Sequence, residues 1–227
     1  VYHETMRSIY NSDRMTGKDI ESWLGRREEI KERIKSLIIE ELNIMEVTGR
    51  NLVVTDVILK YVLKTLQRDL ELLKKENVEF FEVLGREVRV SGEFKGQKLK
   101  GFIDRLDSFH PGQVRVVDYK TGKVLDDDEK ITDDNAEAIA EDIFAEDIKE
   151  RPKIALQFYI YDMLLLQNPL VKDRQLSNCV YSTAHLFKDP PVTVPLRRKF
   201  YDAVSEHLET LLGEMCDTEV AFRRTDD

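Results

Sequence analysis

The sequence predicts an α/β fold: a mixed, mainly antiparallel sheet flanked by helices and preceded by a long helical part. Three observations predict it. Leu99–Lys123 holds two apolar-rich runs on either side of His110-Pro111-Gly112-Gln113, the composition of an antiparallel hairpin. Residues 1–76 repeat apolar side chains at three- and four-residue spacing, which is helical periodicity. Beyond residue 150, helical patterns alternate with short runs rich in Val and Tyr, so helices must pack on the faces of the sheet.

The chain opens with His3, Met6 and Tyr10 at helical spacing, which predicts an amphipathic helix. Ile20–Leu42 reads as one long helix. Its apolar stripe runs through Ile20, Trp23, Leu24, Ile30, Ile34, Leu37 and Ile38, broken at Arg27, with RREEIKERIK on the solvent face. Thr48-Gly49-Arg50-Asn51 interrupts the pattern. Thr55 or Asp56 is predicted to cap a second long helix with a stripe of Leu59, Val62, Leu63, Leu66, Leu70 and Leu73. Lys74 and Lys75 suit its C-terminus, where the helix dipole favours cations.

Strand chemistry follows from Phe80 to Phe94, with Gly92 and Gly96 predicted at turns before the hairpin. Residues 126–150 read as a solvated acidic connection with a short helix over Ala136–Ile148. Pro152 marks the first turn of a helix running to about Leu166. Leu176–Thr183 is predicted to join the sheet, Pro190-Pro191 to lead to another extended piece, and Pro195–Met215 to form the last helix. The expected organisation is a single domain over residues 1–227, mainly helical to residue 76 and built on the sheet from residue 77.

Charge and composition narrow the classes of function. The net charge of −9 is awkward for a polyanion binder, but residues 126–150 hold twelve acids against two lysines, so the remainder is close to neutral. No run approaches the roughly 20 apolar residues of a membrane span, and no secretory signal opens the chain. Cys179 and Cys216 have no metal-type spacing and are expected to be buried small hydrophobes in a reducing, cytoplasmic compartment. His185 and His207 are expected to be packing or surface residues.

The hairpin also carries the candidate chemistry. Asp104 lies seven residues before Pro111 and Asp118 seven after it, so a turn centred there sets them nearly opposite one another. Opposed side chains lie roughly 4.5–5.5 Å apart at Cβ, where two carboxylates repel unless a positive group intervenes. Side-chain alternation puts Lys120 on the face of Asp118 and turns Tyr119 away. A divalent cation would resolve the repulsion, since Mg²⁺ takes carboxylate oxygens and keeps several waters. Alternatively, the two acids are ordinary strand-end groups paired with Arg105, Lys120 or Lys123. Arg105, on the opposite face, has a structural ion pair as its default role.

GFIDRLD followed by VRVVDYKTGK resembles the core of the PD-(D/E)XK nuclease superfamily, and most of all its RecB-like branch, found in bacterial helicase–nuclease recombination proteins and CRISPR-associated exonucleases. That branch has a helix-borne His upstream, a G-x-I-D-R-x-D strand, a D-Y-K-T-G strand and then a helix with Gln-x-x-x-Tyr. This chain has all four in order: His3, Asp104, Asp118 with Lys120, and Gln157 with Tyr161.

The resemblance implies a restriction-endonuclease-like core and a metal-dependent DNA nuclease. It implies Mg²⁺ or Mn²⁺ held by Asp104, Asp118, the Tyr119 carbonyl and His3. It gives Lys120 the attacking water to orient, and Gln157 and Tyr161 the phosphate to position or the carboxylates to brace. It implies DNA as partner, a helicase subunit or helicase domain of the same protein, and a chain that is a fragment of a larger protein. In many members a segment like the C-terminal Ala221–Asp227 precedes cysteines that help hold a 4Fe-4S cluster; such a cluster is expected only in the full-length protein. Three readings stay open: an active DNase, a nuclease-like domain that binds DNA or a helicase without cutting, and an acidic interaction module whose likeness is accidental.

Overall fold

The structure, a computed structural model, describes residues 1–122, 124–145, 150–219 and 221. Helices α1 (Tyr2–Ile9), α2 (Gly17–Gly25), α3 (Arg27–Leu42) and α4 (Arg50–Glu76) precede the sheet, save for the short strand β1 (Arg14–Thr16). Then come β2 (Phe80–Phe94), β3 (Gln97–Ser108), β4 (Gln113–Lys120), α5 (Asp126–Glu129), α6 (Ala136–Phe144), α7 (Lys153–Leu165), β5 (Gln175–Ser182), β6 (Val192–Val194) and α8 (Arg198–Cys216). The sheet runs in sequence order from β1 to β6, antiparallel throughout except for the parallel pair β4–β5. A parallel pair needs a crossover, and α7 supplies it. This is an α/β restriction-endonuclease-like core with a mixed, mainly antiparallel sheet flanked by helices.

The sheet separates two cores. Met6, Ile34, Leu59, Leu66, Phe81, Val117 and Tyr181 join the N-terminal helices to one face. Val114, Val116, Ala140, Phe158, Leu165, Phe200 and Val204 join α6, α7 and α8 to the other. Consecutive residues of β4 alternate between them, as the period of two requires: Val116 enters one core and Val117 the other.

Several elements depart from the sequence reading. The long helix over Ile20–Leu42 is two helices that break at Arg26: α2 ends at Gly25, a poor helix former, and the Arg26 N–H turns back to the Trp23 carbonyl. α2 also begins early, at Gly17: the Thr16 hydroxyl accepts from Asp19 N–H while Asp19 accepts from Thr16 N–H, a reciprocal cap. Thr16-Gly17-Lys18-Asp19 was the signal for it. Neither Thr55 nor Asp56 caps α4, which starts at Arg50; Thr55 lies inside and donates to the Asn51 carbonyl. Gly92 is not a turn. It lies within β2, where an added Cβ would sit 3.0 Å from Leu164 Cδ2 of α7 and 2.5 Å from Oε1 of the exposed Gln167 side chain, so the small residue lets α7 pack closely on the strand. The turn is Lys95-Gly96, both at positive φ.

The acidic run is not simply a solvated loop. It forms the single turn α5, and buried Asp128 accepts from Ala155 N–H at 2.8 Å, satisfying an open donor in the first turn of α7. Cys179 is buried, and burial pushes its thiol up to about 11; Cys216 is exposed, contrary to the expectation for both. The end of the expected helix to Ile148, residue Lys123 and the tail from Phe222 lie outside the described residues. Among the described residues no helix is long and apolar enough to cross a membrane.

Candidate active site

The β3–β4 ladder pairs Arg105 with Val117, Leu106 with Val116 and Asp107 with Arg115, and the same register carried one step further sets Asp104 against Asp118. Backbone pairing stops at that step. There the Asp104 carboxylate accepts the Tyr119 N–H at 2.7 Å, so a side chain replaces a carbonyl in the ladder. The Tyr119 carbonyl is met by His3 of α1, with Nε2 at 2.7 Å; the same nitrogen is 3.6 Å from Asp104 Oδ2.

Asp118 is held from the other side. Gln157 and Tyr161 share one face of α7 at i, i+4. Gln157 Nε2 donates to Asp118 Oδ1 at 2.9 Å and to the Tyr161 hydroxyl at 2.7 Å, and its Oε1 accepts from Lys120 Nζ at 2.6 Å. Tyr161 donates onward to the Phe102 carbonyl at 2.6 Å. Lys120 Nζ also lies 2.9 Å from Asp118 Oδ2. The sequence-predicted residues therefore gather as two linked groups, His3–Tyr119–Asp104 and Asp118–Lys120–Gln157–Tyr161, joined through the backbone of β4.

Tyr161 needs room that only glycine leaves. An added Cβ at Gly101 would lie 2.7 Å from Tyr161 Cε1, and the ring is pinned by its hydroxyl bonds. Gly101→Ala is expected to cost about 1–3 kcal/mol by overpacking. It should also displace Tyr161, which thermal melts and Tyr161 ring resonances in NMR would show.

Electrostatics favour a cation here. Burial, and next to it the charge of Asp118, push the Asp104 carboxyl up to about 6, against the bond from Tyr119 N–H and the pull of His3. Asp118 Oδ2 is buried and makes no well-directed hydrogen bond, although Lys120 Nζ is near. Among the described residues no three His, Cys, Asp or Glu side chains are gathered closely enough to hold a metal by themselves. The donor chemistry still fits a hard divalent ion, which takes one or two carboxylates and completes its shell with waters and substrate oxygens. Asp104, Asp118 and the Tyr119 carbonyl are the oxygens on hand, and His3 is the nitrogen.

Behind the site lies a charge cluster that the sequence reading missed. Arg105 is 1% exposed and Asp69, on α4, is fully buried. Arg105 Nη1 donates to Asp69 Oδ2 at 2.9 Å, and its Nε lies 2.9 Å from Asp107 Oδ2. Arg115 binds Asp107 through two bonds of 2.8 Å. Tyr10 and Tyr181 both donate to Asp69. The Arg105 guanidinium lies 4.2 Å from the Tyr10 ring centroid and 5.7 Å from that of Tyr119. Burial alone would raise the Asp69 carboxyl, but Arg105 and Arg115 hold it below the usual range. Arg105 is thus the structural ion pair its position implied, and its partners are Asp69 and Asp107, not Asp104 or Asp118.

A search of curated proteins returned no match. The family model of the PD-(D/E)XK nuclease superfamily matches residues 1–227, the whole chain, and on that match the chain belongs to the PD-(D/E)XK nuclease superfamily.

Proposed function

We propose that this chain is a Mg²⁺- or Mn²⁺-dependent deoxyribonuclease, the exonuclease domain of a RecB-like recombination or repair protein that works with a helicase subunit or helicase domain. The observation that supports it best is the chain of contacts that joins Asp118 and Lys120 of β4 to Gln157 of α7, with Asp104 of β3 tied to the same stretch of β4 through Tyr119 N–H. Asp104 and Asp118 hold the ion, with the Tyr119 carbonyl and His3 as further ligands. Bound there, a divalent ion lowers the pKa of a water and neutralises charge on the phosphate. Lys120, steered by Gln157, orients the attacking water and offsets the negative charge that develops on the phosphoryl oxygens. Tyr161 keeps Gln157 aimed, and through the Phe102 carbonyl it ties α7 to the strand of Asp104.

The test is incubation of the 227-residue chain with end-labelled single- and double-stranded DNA in Mg²⁺, Mn²⁺ or EDTA. Metal-dependent cleavage is the expected result. Salt-sensitive binding without cleavage would assign the chain to the nuclease-like domains that bind without cutting, and neither would leave an interaction module.

Acid should oppose the metal. A cation needs the ionised carboxylate, so below pH 6 Mn²⁺ affinity is expected to fall about tenfold per unit as Asp104 takes up its proton. The raised value also fixes the sign for stability. In the metal-free chain the contribution from Asp104 is fully present below the ordinary carboxylate value and is lost as pH rises through about 6. Added Mn²⁺ should therefore raise the melting temperature at pH 7 and have little effect at pH 4.5, measured by differential scanning fluorimetry.

A further inference from the structure

The β2–β3 ribbon has one packed face and one bare face. Its register sets Arg89 opposite Phe102, Ser91 opposite Lys100 and Glu93 opposite Lys98. Directly opposed residues share a face, and all six of these are exposed. The alternate positions, Val90, Phe94 and Ile103, are buried toward α7. The bare face therefore carries three cations and one acid, on a chain whose net charge is −9. Among them stands a phenyl ring that is 54% exposed. Phe102 precedes Asp104 by two residues, about 7 Å along the strand, and its carbonyl is the one that Tyr161 binds.

Cations around an exposed aromatic ring match a polyanion that carries flat rings of its own. In a duplex both faces of each base are covered by neighbours, so only an unpaired strand offers a base to such a ring. We propose that the outer face of the β2–β3 ribbon is the track of an unpaired nucleic-acid strand, with one base stacked on Phe102 and the adjoining phosphates on Arg89, Lys98 and Lys100. The inference rests on the nuclease reading above. It adds a strand preference and the residues that set it. A track here delivers the backbone to Asp104 along the strand that bears it.

The experiment uses fluorescence anisotropy on the 227-residue chain in EDTA, with a labelled oligo-dT and an abasic strand of equal length. Phe102→Ala is expected to weaken oligo-dT binding about tenfold, on the order of one base–aromatic stack, and abasic binding less than twofold. Phe102→Trp should restore it. Lys98→Ala with Lys100→Ala should weaken both strands alike and reduce the salt slope by about 0.7 per lysine. Equal losses on the two strands for Phe102→Ala, or no loss, would overturn the track. So would displacement of oligo-dT by polyglutamate as readily as by unlabelled oligo-dT. If the wild type cleaves DNA with Mn²⁺ while Phe102→Ala binds like the wild type, the track fails and the nuclease reading stands. If the wild type neither cleaves nor binds, the nuclease reading fails and the track falls with it.

Discussion

Asp118→Ala is expected to lower metal-dependent DNA cleavage by about 10³-fold or more, because one residue serves two tasks. Its carboxylate is one of two acids available to a divalent ion, and it is also the anion that Gln157 Nε2 and Lys120 Nζ face. On the proposed assignment its loss removes a ligand and frees the ammonium from its working position, and loss of a single electrostatic contact at such a site costs about 10²–10³ in turnover. Lys120→Ala should separate the tasks: turnover falls steeply while Mn²⁺ affinity, read by isothermal titration calorimetry, stays within a few fold of the wild type. Asp118→Ala should reduce both. Full metal-dependent cleavage by Asp118→Ala would refute the assignment of Asp104, Asp118 and Lys120.

The second large effect concerns stability. Asp69→Ala is expected to destabilise the fold by about 3–5 kcal/mol, the usual result of leaving one member of a buried ion pair without its partner. Arg105 would keep Asp107, but Tyr10 and Tyr181 would each lose a buried acceptor. Arg105→Met alone should cost a similar amount. The pair Asp69→Ala with Arg105→Met should cost less than the sum of the two, because the double change removes both charges and leaves neither buried without the other. Urea melts of the four proteins would measure this, and additive losses would show that the two side chains act independently.

The two predictions also mark what could be read from the sequence. Asp104 and Asp118 were legible because a hairpin is a local object: Pro-Gly fixes its turn, and equal spacing on either side fixes which residues meet. Gln157 and Tyr161 were legible for a similar reason, since i and i+4 share a helix face. Asp69 was not. It sits between Leu66 and Leu73 on a helix whose surface already alternates apolar and charged residues, and nothing local distinguishes a buried acid from a solvated one. Its partners lie 36 and 112 residues away, at Arg105 and Tyr181. The break at Arg26 was hidden differently. Ile20, Trp23, Leu24, Ile30 and Ile34 carry a helical stripe across it, so periodicity continues the helix, although Gly25 is a poor helix former and ends α2.

The placement of α1 has a consequence for biosynthesis. Its His3 reaches the carbonyl of Tyr119, and Tyr10, immediately after it, closes on Asp69. These residues therefore wait for partners made much later in the chain, and the cluster around Asp69 closes only when Tyr181 has emerged. Until then a carboxylate and a guanidinium destined for the interior stay hydrated, and the incomplete polypeptide exposes the apolar surface that chaperones bind. A nascent chain stalled before β5 should accordingly be cut readily by protease, and one extended past α8 should resist it.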